Sequence, residues 1–311
     1  MTDTPDRPEL GQPDRPSADR PAPRPGVVPL RPLDLGEIFA GAVGYIRANP
    51  VVTLGLAAAV VTVSQLIAVI VRSSLLQQRD AGRSTPGLVP NLLTFLSTMV
   101  AVAVLTGLLI VVVHRAVLGQ RTALREAWSA IGPRLSGLIG LGLLTGLIIT
   151  GIILLGTLPV MLVAASAGGR SFLVLAIVLL LAAIVLAVYV GVLLAMAAPA
   201  YVLEDIGVVA ALLRSRSLVL GTWWRIFGIL LLTVLLAGVV DVVIGIPFDP
   251  GNSLGGAVSF ADLIVSAIGT IIASTLTAPF SAGVTGLLYI DQRIRRERYD
   301  IELARSATRL P

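Results

Sequence analysis

The sequence contains no cysteine, no lysine and a single histidine, His114. Without cysteine there is no disulfide, no thiolate nucleophile and no cysteine-ligated metal. One histidine rules out a multi-histidine metal site. Charge is scarce too: 13% of the 311 residues are charged against 56% hydrophobic, and the mean hydropathy is +0.93. A soluble domain of this size could not hide so much apolar surface and would need more charge to stay dissolved. The length would suit two ordinary domains, but the composition moves the chain to the membrane class.

What charge there is has a pattern. All 23 basic residues are arginine, a usage that points to a GC-rich bacterial genome. The net charge of +5 does not point to nucleic acid, because the arginines flank apolar runs and form no basic stripe laced with aromatics. Residues 1–29 form a tail rich in proline, arginine and aspartate whose charges nearly cancel. Such a segment buries nothing and is expected to be disordered, either as a solvated leader or as a proline-motif docking tail. Its first 24 residues lack an apolar core, so no cleavable signal peptide is expected and the first true span must act as the insertion signal.

Residues 30–303 read as an all-α transmembrane domain, with 304–311 as a polar C-terminal end. A span needs about 20 apolar residues, each rising about 1.5 Å, to cross roughly 30 Å of hydrocarbon. Six runs qualify: Val51–Val71, Leu92–Val113, Leu135–Ala164, Phe172–Ala198, Ile226–Ile246 and Leu263–Ile290. They are continuous and do not alternate as barrel strands must. With six spans both termini share a side, and 19 arginines fall on that side against 4 on the other. The excess predicts cytoplasmic termini in a bacterial plasma membrane.

One arrangement recurs three times: an amphipathic stretch, a break, then a hydrophobic hairpin. In the first, Leu35, Ile38, Phe39, Ala42, Val43 and Ile46 share a helical face, Asp34 and Glu37 form a box-like start, and Asn49-Pro50 ends it. In the second, Thr122 is the cap, Trp128 joins the apolar face and Gly132-Pro133 is the break. In the third, Asp205 is the cap and Gly221-Thr222 begins the break. The breaks fall roughly 85 residues apart, which suits one interface helix plus two spans. Either three related hairpins surround a pseudo-symmetric axis, or this is the ordinary alternation of any hairpin protein.

Asp241 is the acid placed well inside a span. An ionisable residue there points to a functional site unless its helix ends early, near Gly245 or Pro247. The last span carries Ser274, Thr277, Ser281 and Thr285 close to one face, with Pro279 among them. Such a face lines a cavity, as in transporters, or mediates close helix packing. Arg293, Arg295, Arg296 and Arg298 form a basic collar beside the bilayer, suited to anionic headgroups of the cytoplasmic leaflet or to a protein partner. Gly142 and Gly146 suit internal helix packing. Glu204 and Asp205 read as cap residues. No nucleophile elbow, phosphate loop or paired-carboxylate cleft is visible, and no cofactor or metal site is expected.

Three blocks carry a family resemblance: Leu30-Arg-Pro-Leu-Asp-Leu-Gly-Glu-Ile-Phe39, the stretch from Ala198-Pro-Ala-Tyr-Val-Leu-Glu204 through Ala211-Leu-Leu-Arg-Ser-Arg216 to Gly221-Thr-Trp-Trp-Arg225, and Tyr289-Ile-Asp-Gln-Arg-Ile-Arg-Arg-Glu297. Together they resemble the membrane domain attached to some bacterial glycerophosphoryl diester phosphodiesterases. The resemblance implies architecture and location. The phosphodiesterase barrel itself has no counterpart here, and none of its catalytic residues carries over. The expected function is therefore non-enzymatic, organising lipids or partner proteins in the membrane. The alternative is a small-molecule or lipid transporter with a midplane site at Asp241.

Overall fold

The computed structural model describes residues 26–29, 31–80, 88–120, 123–165, 170–248 and 259–297. Their helices are α1 (Leu35–Ala48), α2 (Pro50–Asp80), α3 (Leu88–Val117), α4 (Leu124–Ile131), α5 (Leu135–Ala165), α6 (Arg170–Leu194), α7 (Ala197–Glu204), α8 (Val208–Val219), α9 (Trp223–Gly245) and α10 (Phe260–Glu297). Short 3-10 turns join α4 to α5 and follow α9. There is no strand among the described residues. Six stretches are long and apolar enough to cross a bilayer: Pro50–Leu75, Val89–Val117, Arg125–Val163, Phe172–Glu204, Trp223–Phe248 and Phe260–Glu297. Each contains or closely overlaps one of the runs read from the sequence. α10 is the hub, packing against α1, α2, α3 and α9, while α5 pairs with α6 and leans on α3.

The ends of the amphipathic helices agree with the sequence in part. The Glu37 carboxylate accepts the Asp34 N–H at 3.0 Å, closing the start of α1. Pro50 opens α2, where a missing N–H leaves no bond unmade. Thr122 lies outside the described residues, and Ala123 is the residue that precedes α4. Asp205 does not cap α8. It ends α7 in the left-handed region at φ 53°, and Gly207 precedes α8 instead. A short polar side chain tolerates that conformation, and the Asp205 carboxylate pairs with Arg134 at 2.8 Å.

The fourth expected span, Phe172–Ala198, is not one helix. α6 stops at Leu194 and α7 begins at Ala197. A hydroxyl from α8 serves the broken turn: Ser215 Oγ donates to the Leu193 carbonyl at 2.7 Å and accepts the Met196 N–H at 3.1 Å. Buried backbone groups must be paired wherever a helix opens, and sequence periodicity carries no sign of a partner about 20 residues away.

The packed core lies toward one end of the bundle. Ile38, Ala42 and Tyr45 of α1, Leu108, Leu109, Val112 and Val113 of α3, Ala127 of α4, Leu218 of α8 and Leu287–Ile290 of α10 are all buried. The other halves of the long helices are bare, with Ile70, Leu155, Val185 and Val243 more than 60% exposed. This division follows from the two solvents. Water drives apolar groups together, whereas lipid tails are as apolar as leucine and give helices little reason to close up. α1, α4 and α8 accordingly wrap the arginine-rich ends of α3 and α10. Each splits its apolar surface: α1 buries Ile38 and Tyr45 in the protein and turns Leu35 and Val43 outward. Of the segment read as a free tail, residues 26–29 are described, and Val28 is buried.

α1 meets α10 closely enough to demand glycine. A Cβ on Gly283 would strike the Tyr45 ring, and Tyr45 is fully buried with its hydroxyl donated to the Pro279 carbonyl. Gly283→Ala is therefore expected to destabilise the protein by about 1–3 kcal/mol, the usual range for overpacking. The midpoint of thermal unfolding in detergent, followed by tryptophan fluorescence, checks this. An unchanged midpoint would mean that the ring can move at no cost. On α5, Gly142 seats against Ala103 and Gly146 against Met99, so both serve packing within the chain.

Candidate functional site

Asp241 lies on α9 about 27 Å along the helix axis from Trp223. Exposed apolar side chains bracket it: Leu231, Val234 and Leu235 on the arginine-rich side, Val242, Val243 and Ile246 beyond. α9 does end soon after, at Gly245, yet the apolar belt continues past it through Ile246 and along α10 through Leu276, Ile272, Ile268 and Ile264. Asp241 is exposed near the far end of α9, with exposed apolar side chains before and after it along both helices. Thr277 Oγ1 lies 3.1 Å from Asp241 Oδ1 and donates either to it or to the Ala273 carbonyl at 3.2 Å. Asp241 and Ser274 line a cavity of about 490 Å³ between α9 and α10, together with Ser266, Thr270 and Phe248.

The structure divides the rest of the sequence-predicted face. Ser281 and Thr285 line a separate cavity of about 270 Å³ against α3, beside Val102, Thr106 and Leu109. Thr285 returns its hydroxyl to the Ser281 carbonyl at 2.9 Å. Pro279 lies within an unbroken α10 and offers its carbonyl to Tyr45. Burial pushes the Tyr45 phenol's pKa up, so it remains a donor at neutral pH. Asp241, Ser274 and Thr277 therefore belong together, and Pro279, Ser281 and Thr285 belong to packing and to the α3 side.

At the arginine-rich end the charges close on one another. Asp291 is fully buried and accepts the Leu33 N–H at 2.8 Å, Arg225 Nη1 at 2.5 Å and Arg295 Nε at 2.9 Å. Both guanidinium groups also donate to the Leu33 carbonyl, at 2.9 and 3.0 Å. A second cluster centres on Glu204. Arg214 Nε reaches both of its oxygens at 3.0 and 2.8 Å, the Tyr289 hydroxyl donates to it, and Arg293 Nε stands 3.5 Å away. Glu297 ties the same two arginines together, at 2.5 Å to Arg214 and 3.1 Å to Arg293. Arg296 donates to the carbonyls of Ser217, at 2.6 Å, and of Leu220, completing the end of α8. Arg293, Arg295 and Arg296 of the expected collar are thus engaged within the chain, and Arg298 lies outside the described residues. Arg47, Arg125 and Arg216 are exposed and make no ion pair among the described residues.

Sequence reasoning missed Asp291, which sits beside the bilayer edge where an acid attracts little notice, and read Glu204 as a cap. The available signal was arithmetic: Asp291 and Glu297 share a short stretch with the very arginines taken to be free. It also missed a groove between α2 and α3. This groove encloses about 640 Å³ and is lined by apolar residues including Val60, Val63, Ile67, Leu96 and Val100, and by Trp128 of α4.

A family model described as a domain of unknown function, DUF7847, matches residues 33–291. No curated protein and no solved structure matches the chain.

Proposed function

The chain belongs to that family of unknown function, and on this premise we propose that it is a non-enzymatic membrane module that holds phospholipid at the surface of its bundle. The observation that carries the reading is the α2/α3 groove. It is mostly apolar, with Ser64 and Ser97 the polar residues in its lining, its volume of about 640 Å³ has room for an acyl chain, and Trp128, an indole of the kind that favours the membrane interface, also lines it. Arg125 precedes Trp128 by three residues on α4, hence on the same side of that helix, and it is exposed and unpaired among the described residues. A chain in the groove with its anionic headgroup at Arg125 satisfies both ends. Arg47 and Arg216 are likewise exposed and without an ion pair among the described residues.

The arginine excess supports placing this end in the cytoplasm of a bacterial cell. The three blocks that resemble the phosphodiesterase-associated membrane domain lie at the same end and support a shared architecture. Internal pairing of Glu204, Asp291 and Glu297 supports a structural use of those acids over a catalytic one. A second reading, a transporter, draws on the α9/α10 cavity with Asp241 in its wall.

Native mass spectrometry of the protein released from its own membrane tests the proposal. Retained phospholipid enriched in anionic headgroups is expected. Val63→Trp, which fills the groove, should lower the retained lipid several-fold. Arg125→Gln should shift the bound population toward neutral lipids, since one arginine at an anionic surface contributes about 1 kcal/mol. Identical lipid profiles for all three proteins would count against the reading.

A further inference from the structure

We infer that the α9/α10 cavity is a binding site for an organic ammonium group, with Asp241 as its counter-charge. The argument rests on the geometry of that cavity and does not depend on the α2/α3 groove.

Two of its wall hydroxyls, Ser266 and Thr270, spend their protons within α10. Ser266 Oγ gives its proton to the Leu263 carbonyl at 3.2 Å, and Thr270 Oγ1 gives its own to the Ser266 carbonyl at 2.9 Å. Thr277, behind Asp241, spends its proton on Asp241 or on the Ala273 carbonyl. With donors turned back into their own helix, these hydroxyls are left with lone pairs to offer. Ser274 makes no side-chain hydrogen bond among the described residues, and neither does the second carboxylate oxygen of Asp241. Among the described residues, no arginine or histidine lines the cavity. A carboxylate set among apolar side chains and hydroxyl lone pairs, with no cationic side chain beside it among the described residues, suits a cation from outside the chain.

Size and apolar lining narrow the class. About 490 Å³ is far more than a bare alkali ion fills and falls in the range of small-molecule sites. Val242, Ile246 and Phe248 supply apolar wall, and an aromatic ring is a favourable neighbour for an alkylammonium. Such a group can come from an aminophospholipid headgroup or from a soluble amine, and the two sources share the same chemistry.

The test uses the full chain in nanodiscs. Thermal unfolding is followed against increasing tetramethylammonium or ethanolamine in discs of phosphatidylglycerol, and separately in discs with added phosphatidylethanolamine. Saturable stabilisation of the wild type is expected in at least one arm. Stabilisation by the soluble amines alone assigns the site to a soluble ligand, and by phosphatidylethanolamine alone to a headgroup. Asp241→Asn keeps the shape but removes the charge, and should weaken the apparent affinity roughly 10- to 100-fold. Ser274→Ile fills the cavity from the opposite wall with the acid untouched, and should abolish the response even if the Asp241 variant fails to fold. No saturable stabilisation in either arm, or an undiminished response in both variants, overturns the assignment.

Discussion

Asp291→Ala is expected to cost about 3–5 kcal/mol of stability, the range found when one member of a buried ion pair is removed. Asp291 has no exposure to solvent, and three donors converge on it: the Leu33 N–H, Arg225 and Arg295. Without the carboxylate, two guanidinium groups face each other with the Leu33 carbonyl as their shared acceptor. The Leu33 N–H is left buried and unpaired, which costs a further penalty of its own. Leu33 is fully buried at the point where the chain enters α1, so the damage should appear there first. Limited proteolysis should cut near residues 26–34 in the variant at protease levels that spare the wild type. Asp291→Asn keeps an acceptor for Leu33 but not the charge, and should fall between the two. A wild-type unfolding midpoint for Asp291→Ala would show that the two arginines find water readily and that the triad is ornamental.

This triad also shows where sequence reasoning stops. The six spans were legible because bilayer thickness fixes a length, and a length can be counted along the chain. Asp34, Glu37 and Pro50 were legible because caps act within four residues. Leu33 and Asp291 stand 258 positions apart, and nothing local announces their meeting. The arginines beside the bilayer therefore looked free for lipid, when their partners were Asp291, Glu204 and Glu297 and the backbone of other helices. The hydroxyl face of α10 was legible as a face, but its neighbours were not. Ser274, Thr277, Ser281 and Thr285 do share a side of the helix, but helices cross at an angle. The same side meets α9 at Asp241 and α3 at Thr106. Periodicity names a face and cannot say which neighbour stands before it at each height.

Glu204→Leu is the second change expected to be severe, at about 2–4 kcal/mol. It removes the acceptor of Arg214, Tyr289 and Arg293 at once, at a carboxylate with 15% of its side chain exposed. The loss should be smaller than for Asp291, because Glu297 still contacts both arginines. The comparison with Glu204→Leu/Arg214→Leu distinguishes two accounts of the cluster. If the ion pair mainly orients α7 and α8 against α10, removing both charges should recover much of the loss, since an apolar pair of similar volume needs no counter-ion. If instead Glu204 is needed to hold Arg293 beside half-buried His114, whose Nδ1 has no hydrogen-bond partner among the described residues, the double variant should be no better than the single one. Unfolding midpoints for wild type, both single variants and the double variant close the cycle. Recovery would mean that the charges at this end select one packing of α7, α8 and α10 from among several that apolar residues alone would permit.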